Sequence, residues 1–87
     1  MIRVVYGNNF LKSLKKLPEN VQRKAGSLIP VLRANPLHPL LHTKKLTGPL
    51  TGFLSFRITR DYRVIFHFLD ASAVQLLRAE HRKDIYR

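Results

Sequence analysis

The chain has 87 residues, a length that points to one domain, 1–87, with one modest core. Hydrophobic residues make up 45% and charged residues 24%, which excludes a disordered chain, and the absence of cysteine excludes disulfides and thiolate metal sites. Lys and Arg number 16 against 5 Asp and Glu, a formal net charge of +11, which favours a polyanionic partner such as nucleic acid or an acidic protein.

The N-terminal "IRVVY" (2–6) is β-branched and aromatic and predicts a strand ended by Gly7. Asn8 or Asn9 is a candidate helix cap, and Phe10, Leu14 and Leu17 follow as one apolar stripe. Pro18 either ends this helix or sits in the first turn of the next, whose N-terminus Glu19 favours and whose stripe is Val21, Ala25, Leu28 and Leu32. Pro30 predicts a kink or an early end, because its ring clashes with the Gly26 carbonyl, and Asn35-Pro36 predicts the final stop. Residues 36–52, rich in Pro, His, Thr and Gly, read as a long functional loop carrying Lys44 and Lys45.

The period then changes to two. Leu54, Phe56 and Ile58 share one face of a strand over 53–59, and Tyr62, Val64, Phe66 and Phe68 share one face of the next, over 61–69. Asp70-Ala71-Ser72 turns the chain into a last strand over 73–79. The expectation is an α+β domain of order β-α-α-β-β-β, with two N-terminal helices on one face of a small twisted antiparallel sheet. Arg57 and Arg63 then emerge together on the other face, where guanidiniums suit phosphates.

The motifs "KLTG", "DYRVIF" and "HRKDIY", in this order of elements, resemble the RelE/ParE superfamily of toxin–antitoxin toxins. The resemblance covers nearly the whole chain and is sharpest over residues 44–87. It implies one of two activities. RelE-like members cut mRNA in the ribosomal A site, whereas ParE-like members inhibit DNA gyrase without nuclease chemistry; HigB- and YafQ-like members are RNases with different active-site residues. The RelE-like reading implies attack of a ribose 2′-hydroxyl on the adjacent phosphate, with cations stabilising the phosphorane and groups to move the two protons.

By this resemblance Arg63, after the tyrosine of "DYR", is the phosphate-binding arginine; the alternative is an exposed strand arginine paired with Asp61 or Glu80. Arg57 corresponds loosely to a basic position on the preceding strand. Leu54 and Phe56 stand near the places of two family lysines, a departure from the strict RelE pattern. Arg82 resembles the arginine beyond the last strand, His81 an acid or base, and Tyr86 a tyrosine that stacks on a base or aids proton transfer. Lys44, Lys45, Arg60 and Lys83 are expected to bind RNA or the ribosome.

The HRKDIY cluster favours the ribosome-dependent mRNA endonuclease; the alternatives are the ParE-like gyrase inhibitor and a regulator that only binds nucleic acid. The resemblance further implies a cognate acidic antitoxin, with operator DNA reached through that antitoxin. No cofactor is expected. His38 and His42 are four apart around Pro39, which argues against a helical metal pair. "MIRVVY" is too short for a signal segment and no apolar run approaches the roughly 18 residues of a membrane helix, so a cytoplasmic protein without membrane contact is expected.

Overall fold

The computed structural model describes residues 1–86. Strand β1 (Arg3–Tyr6) leads through Gly7 into helix α1 (Asn8–Lys15), and helix α2 (Glu19–Ala34) follows Pro18. Then come β2 (Lys44–Lys45), β3 (Leu54–Arg57), β4 (Tyr62–Asp70) and β5 (Ala73–His81). The five strands form one sheet in the order β1-β5-β4-β3-β2. Pairing is antiparallel from β2 to β5, while β1 runs parallel to β5.

The α+β architecture and the placing of both helices over one face are as the sequence predicts. The sheet is mixed, however, not wholly antiparallel, because β1 lies beside β5 and delivers the chain directly onto α1. That delivery requires a close approach: Gly7 N–H donates to Leu76 O at 3.0 Å, and a Cβ at Gly7 would sit 2.6 Å from the same oxygen. Only glycine fits there.

Three local expectations change. Gly7, not Asn8 or Asn9, occupies the cap of α1 and offers no side-chain bond. α2 does not end at Pro30 but runs through it to Ala34, losing one backbone bond on its exposed side while Leu28 and Leu32 stay buried. Residues 36–52 are not one open loop. They hold 3-10 turns at Pro39–Leu41 and Gly48–Leu50, and Lys44–Lys45 between them pairs with β3.

The helix-side core joins Phe10, Val21, Ala25, Leu28 and Leu32 to Phe56, Ile58, Val64, Phe66, Val74 and Leu76. Phe56 and Phe66 are fully buried with ring centroids 5.9 Å apart, an arrangement that adds to their burial. Phe68, expected in this core, is 43% exposed; β3 pairs no further along β4 than Leu54–Phe66 and leaves Phe68 without a neighbour on that side. Beyond the end of β1, Ser13 of α1 replaces a missing strand neighbour. Its hydroxyl accepts from Ala79 N–H at 2.8 Å and donates to Phe10 O at 3.0 Å.

The opposite face is not bare. Leu46, Ile65 and Ile85 form a second buried cluster with Leu50, Phe53 and Leu77 packed against it. A bulge makes this possible: Ile65 faces Arg78 but Phe66 faces Leu76, so Leu77 is an extra residue. The bulge reverses the facing of the rest of β5. Ala79 joins the helix-side core, Arg78 and Glu80 look to the other side, and the C-terminal segment can fold back over Ile65.

Candidate anion-binding site

On this second face lies a cavity of about 370 Å³ lined by Lys44, Leu46, Ser55, Arg63, Arg82, Lys83, Ile85 and Tyr86. Four cations converge on it, and no carboxylate lines it among the described residues. Register explains the convergence. Lys44 pairs with Ser55 and Ser55 with Ile65, so these side chains share the face that carries Arg63.

Arg63 stands directly across from Arg57 on β3 and from Glu80 on β5. Like charges opposed in this way repel. Burial, then the charge of Arg57, then that of Arg82 push the Arg63 guanidinium below its ordinary range, against a smaller pull from Asp61. Neither expected acidic partner takes Arg63: Asp61 Oδ1 holds Arg82 Nε at 3.5 Å, and Glu80 Oε1 holds Arg78 Nη1 at 3.5 Å. Arg57 Nε is buried without a hydrogen-bond partner. A bound anion would answer the repulsion at Arg63.

The C-terminal turn supplies the far wall. Residues Arg82–Asp84 form a 3-10 turn fastened at several points. Arg82 N–H donates to Asp61 O at 2.7 Å, Lys83 N–H donates to His81 Nδ1 at 3.1 Å, and Arg78 Nη2 donates to Ile85 O at 3.2 Å. Tyr86 is half-exposed, and its phenol oxygen accepts from Thr47 N–H at 3.3 Å. The bonds from Thr47, with Lys44 nearby, hold the Tyr86 phenol below its ordinary range. A phenol so placed can donate a proton or a hydrogen bond to an anion in the cavity.

The sequence candidates therefore divide. Arg63, Arg82, Tyr86, Lys44 and Lys83 line one cavity, and Arg57 flanks Arg63. Lys45, one residue from Lys44, lines an apolar pocket with Phe53, Leu54 and Phe68 instead. Arg60 is exposed in the bend between β3 and β4. His81 packs edge-on against Tyr62, centroids 5.3 Å apart, and lines a cavity of about 580 Å³ with Ser13, Lys16, Glu80 and Asp84. That cavity is the larger, but its charges are mixed, so the purely cationic one is the better anion site. Sequence reasoning missed Ser55 and Arg78; the charge of Arg78 directly after the apolar pair Leu76-Leu77 was the available signal.

No group of three or more His, Asp or Glu able to hold a metal occurs among the described residues. No helix among them is long and apolar enough to cross a membrane.

No family model and no curated protein matches the chain. Solved structures do. The RelBE2 toxin–antitoxin complex from Mycobacterium tuberculosis matches with 26% identity over 93% of this chain and 98% of that one, at a TM-score of 0.77. The archaeal RelE–RelB complex from Pyrococcus horikoshii OT3 matches with 25% identity over 95% and 97%, at 0.75. YafQ from Escherichia coli strain BL21(DE3) is 18% identical over 100% of both chains at 0.79, a likeness of fold alone. Agreement along nearly the full length of each chain, together with the KLTG, DYRVIF and HRKDIY motifs, leads to one conclusion: the chain belongs to the RelE/ParE superfamily.

Proposed function

We propose that the protein is the toxin of a type II toxin–antitoxin system and acts as a ribosome-dependent mRNA endonuclease in the cytoplasm. The observation that carries this reading is the cavity in which Arg63, Arg82, Lys44 and Lys83 meet Tyr86 without a lining carboxylate. A scissile phosphate seated there would be bound by Arg63 and Arg82. Attack of the ribose 2′-oxygen on phosphorus, its proton passing to solvent water, forms a phosphorane whose added charge those guanidiniums stabilise, and departure of the 5′-oxygen leaves a 2′,3′-cyclic phosphate. Tyr86, with its phenol acidified by Thr47 and Lys44, is the group in reach to protonate that leaving oxygen. The ribosome would supply the alignment that a shallow, open site lacks.

The partner that neutralises it is an acidic antitoxin, in keeping with a net charge of +11 and with relatives solved as toxin–antitoxin complexes. Its binding should weaken as salt rises.

The test is single-turnover cleavage of mRNA on programmed ribosomes beside a gyrase supercoiling assay. Arg63→Ala should lose on the order of 100- to 1000-fold in cleavage rate while unfolding at the same temperature. Arg63→Lys should rescue poorly, because a point charge does not reproduce the planar fork. A folded Arg63→Ala protein cutting at the normal rate removes Arg63 from the site. A wild type that blocks gyrase and cuts nothing replaces this reading with the ParE-like one.

A further inference from the structure

His81 belongs to the motif that marks this family, yet its ring opens onto the wrong cavity for chemistry at Arg63. It shares the helix-side face with Tyr62, its partner across the strands, while the cationic cavity lies on the opposite face. What its imidazole does is local. Nδ1 accepts the backbone N–H of Lys83 at 3.1 Å, two residues on, and so caps the 3-10 turn at Arg82–Asp84. The same device occurs a second time in the chain: His38 Nδ1 accepts from Leu40 N–H at 3.1 Å and caps the turn at Pro39–Leu41. A histidine in this role offers a ring lone pair to the backbone, as an Asn or Asp side chain does in a turn.

We propose that His81 is a positioning residue whose Nδ1–Lys83 bond aims Arg82, Lys83 and Tyr86 into the cationic cavity. The proposal rests on that cavity's being the phosphate site. The turn leaves β5 at His81 and returns over the sheet at Ile85, so three residues decide where two cations and a phenol point. Arg82, the first residue of the turn, is tied to Asp61 by the backbone bond at 2.7 Å and the ion pair at 3.5 Å, and Arg78 Nη2 holds Ile85 O just past its end. His81 Nδ1 adds the tie at Lys83, the middle of the turn, between those two. With that acceptor gone, the Lys83 N–H turns to water and the turn swings about its remaining ties. A shift of about 1 Å at groups that grip a reacting phosphate costs on the order of 100-fold in rate.

Two substitutions separate positioning from proton transfer. His81→Asn keeps an acceptor that reaches the N–H two residues on but cannot exchange a proton near neutrality. His81→Ala removes both. Each is measured by single-turnover cleavage on programmed ribosomes and by titration of the protein with inorganic pyrophosphate, followed by thermal unfolding. His81→Ala should lose about 10- to 100-fold in cleavage rate and bind pyrophosphate several-fold more weakly. His81→Asn should stay within about threefold of the wild type in both.

The proposal is overturned if His81→Asn cuts as poorly as His81→Ala while binding pyrophosphate normally, since the imidazole then moves a proton. It is equally overturned if His81→Ala matches the wild type. Should the wild type cut no RNA, the nuclease reading fails by itself. The pyrophosphate series then decides alone: Asn equal to wild type and stronger than Ala supports positioning, and three equal affinities reject it.

Discussion

The two faces of the sheet are built from alternate residues of the same strands, yet they do different work. On the helix side, Phe56, Val64, Phe66, Val74 and Leu76 are covered by two amphipathic helices, and no charged residue among those described is buried there. On the other side the buried apolar set shrinks to Leu46, Ile65 and Ile85, brought there by a loop and the C-terminal turn. The cations gather at the edge of this thin cluster. Stability is concentrated on one face, which leaves the other free to hold mutually repelling guanidiniums and an unpartnered donor at a cost the first face can carry.

The contrast can be broken from either side. Phe66→Ala, on the helix side, should cost about 3–5 kcal/mol by denaturant unfolding and reduce cleavage only through loss of folded protein. Ser13→Ala leaves the Ala79 N–H buried without its partner and should cost about 1–3 kcal/mol. If the strand end is instead held by backbone alone, Ser13→Ala will unfold like the wild type. The adjacent lysines sharpen the comparison further. Lys44→Ala should weaken binding of single-stranded RNA and lower its salt slope by about one unit, whereas Lys45→Ala, facing the apolar pocket, should leave the slope unchanged. Equal slopes for the two variants would contradict the assignment of faces.

The smallest effect concerns the turn between β4 and β5. The Ser72 backbone N–H, then its hydroxyl, hold the Asp70 carboxyl below the usual carboxylate range. The stability this lends is present above the carboxyl's ordinary titration range and is lost as pH falls through the lowered value. Asp70, followed by NMR, should titrate below an unperturbed aspartate, and Ser72→Ala should raise it. An unchanged titration would mean that the turn does not hold the carboxylate.

Much of this was legible in the sequence. Period-two alternation over 54–69 separates Phe56, Val64 and Phe66 from Arg57 and Arg63 with no further information. The helix stripes were equally plain, because amphipathic spacing is a local property. What stayed hidden depends on contacts between distant segments. Lys44–Lys45 is too short to show a period and becomes a strand only because β3 offers an edge. The second cluster joins residues 46, 65 and 85, and no window holds all three. The face of His81 was hidden for a related reason: β5 runs on to His81, and the bulge at Leu77 changes which side of the strand each later residue takes, which leaves no mark in composition.

The opposed pair Arg57 and Arg63 has a practical consequence for anyone handling the protein. On the proposed reading, opposed guanidiniums are relieved by an anion dissolved around them, so the buffer becomes part of the thermodynamic system. An anion that binds only the folded chain adds about 2.7 kcal/mol at a hundred times its dissociation constant. If the cavity takes an anion as proposed, melting temperatures in phosphate and in a zwitterionic buffer of equal ionic strength will differ, and only those compared at equal anion activity report on the polypeptide itself.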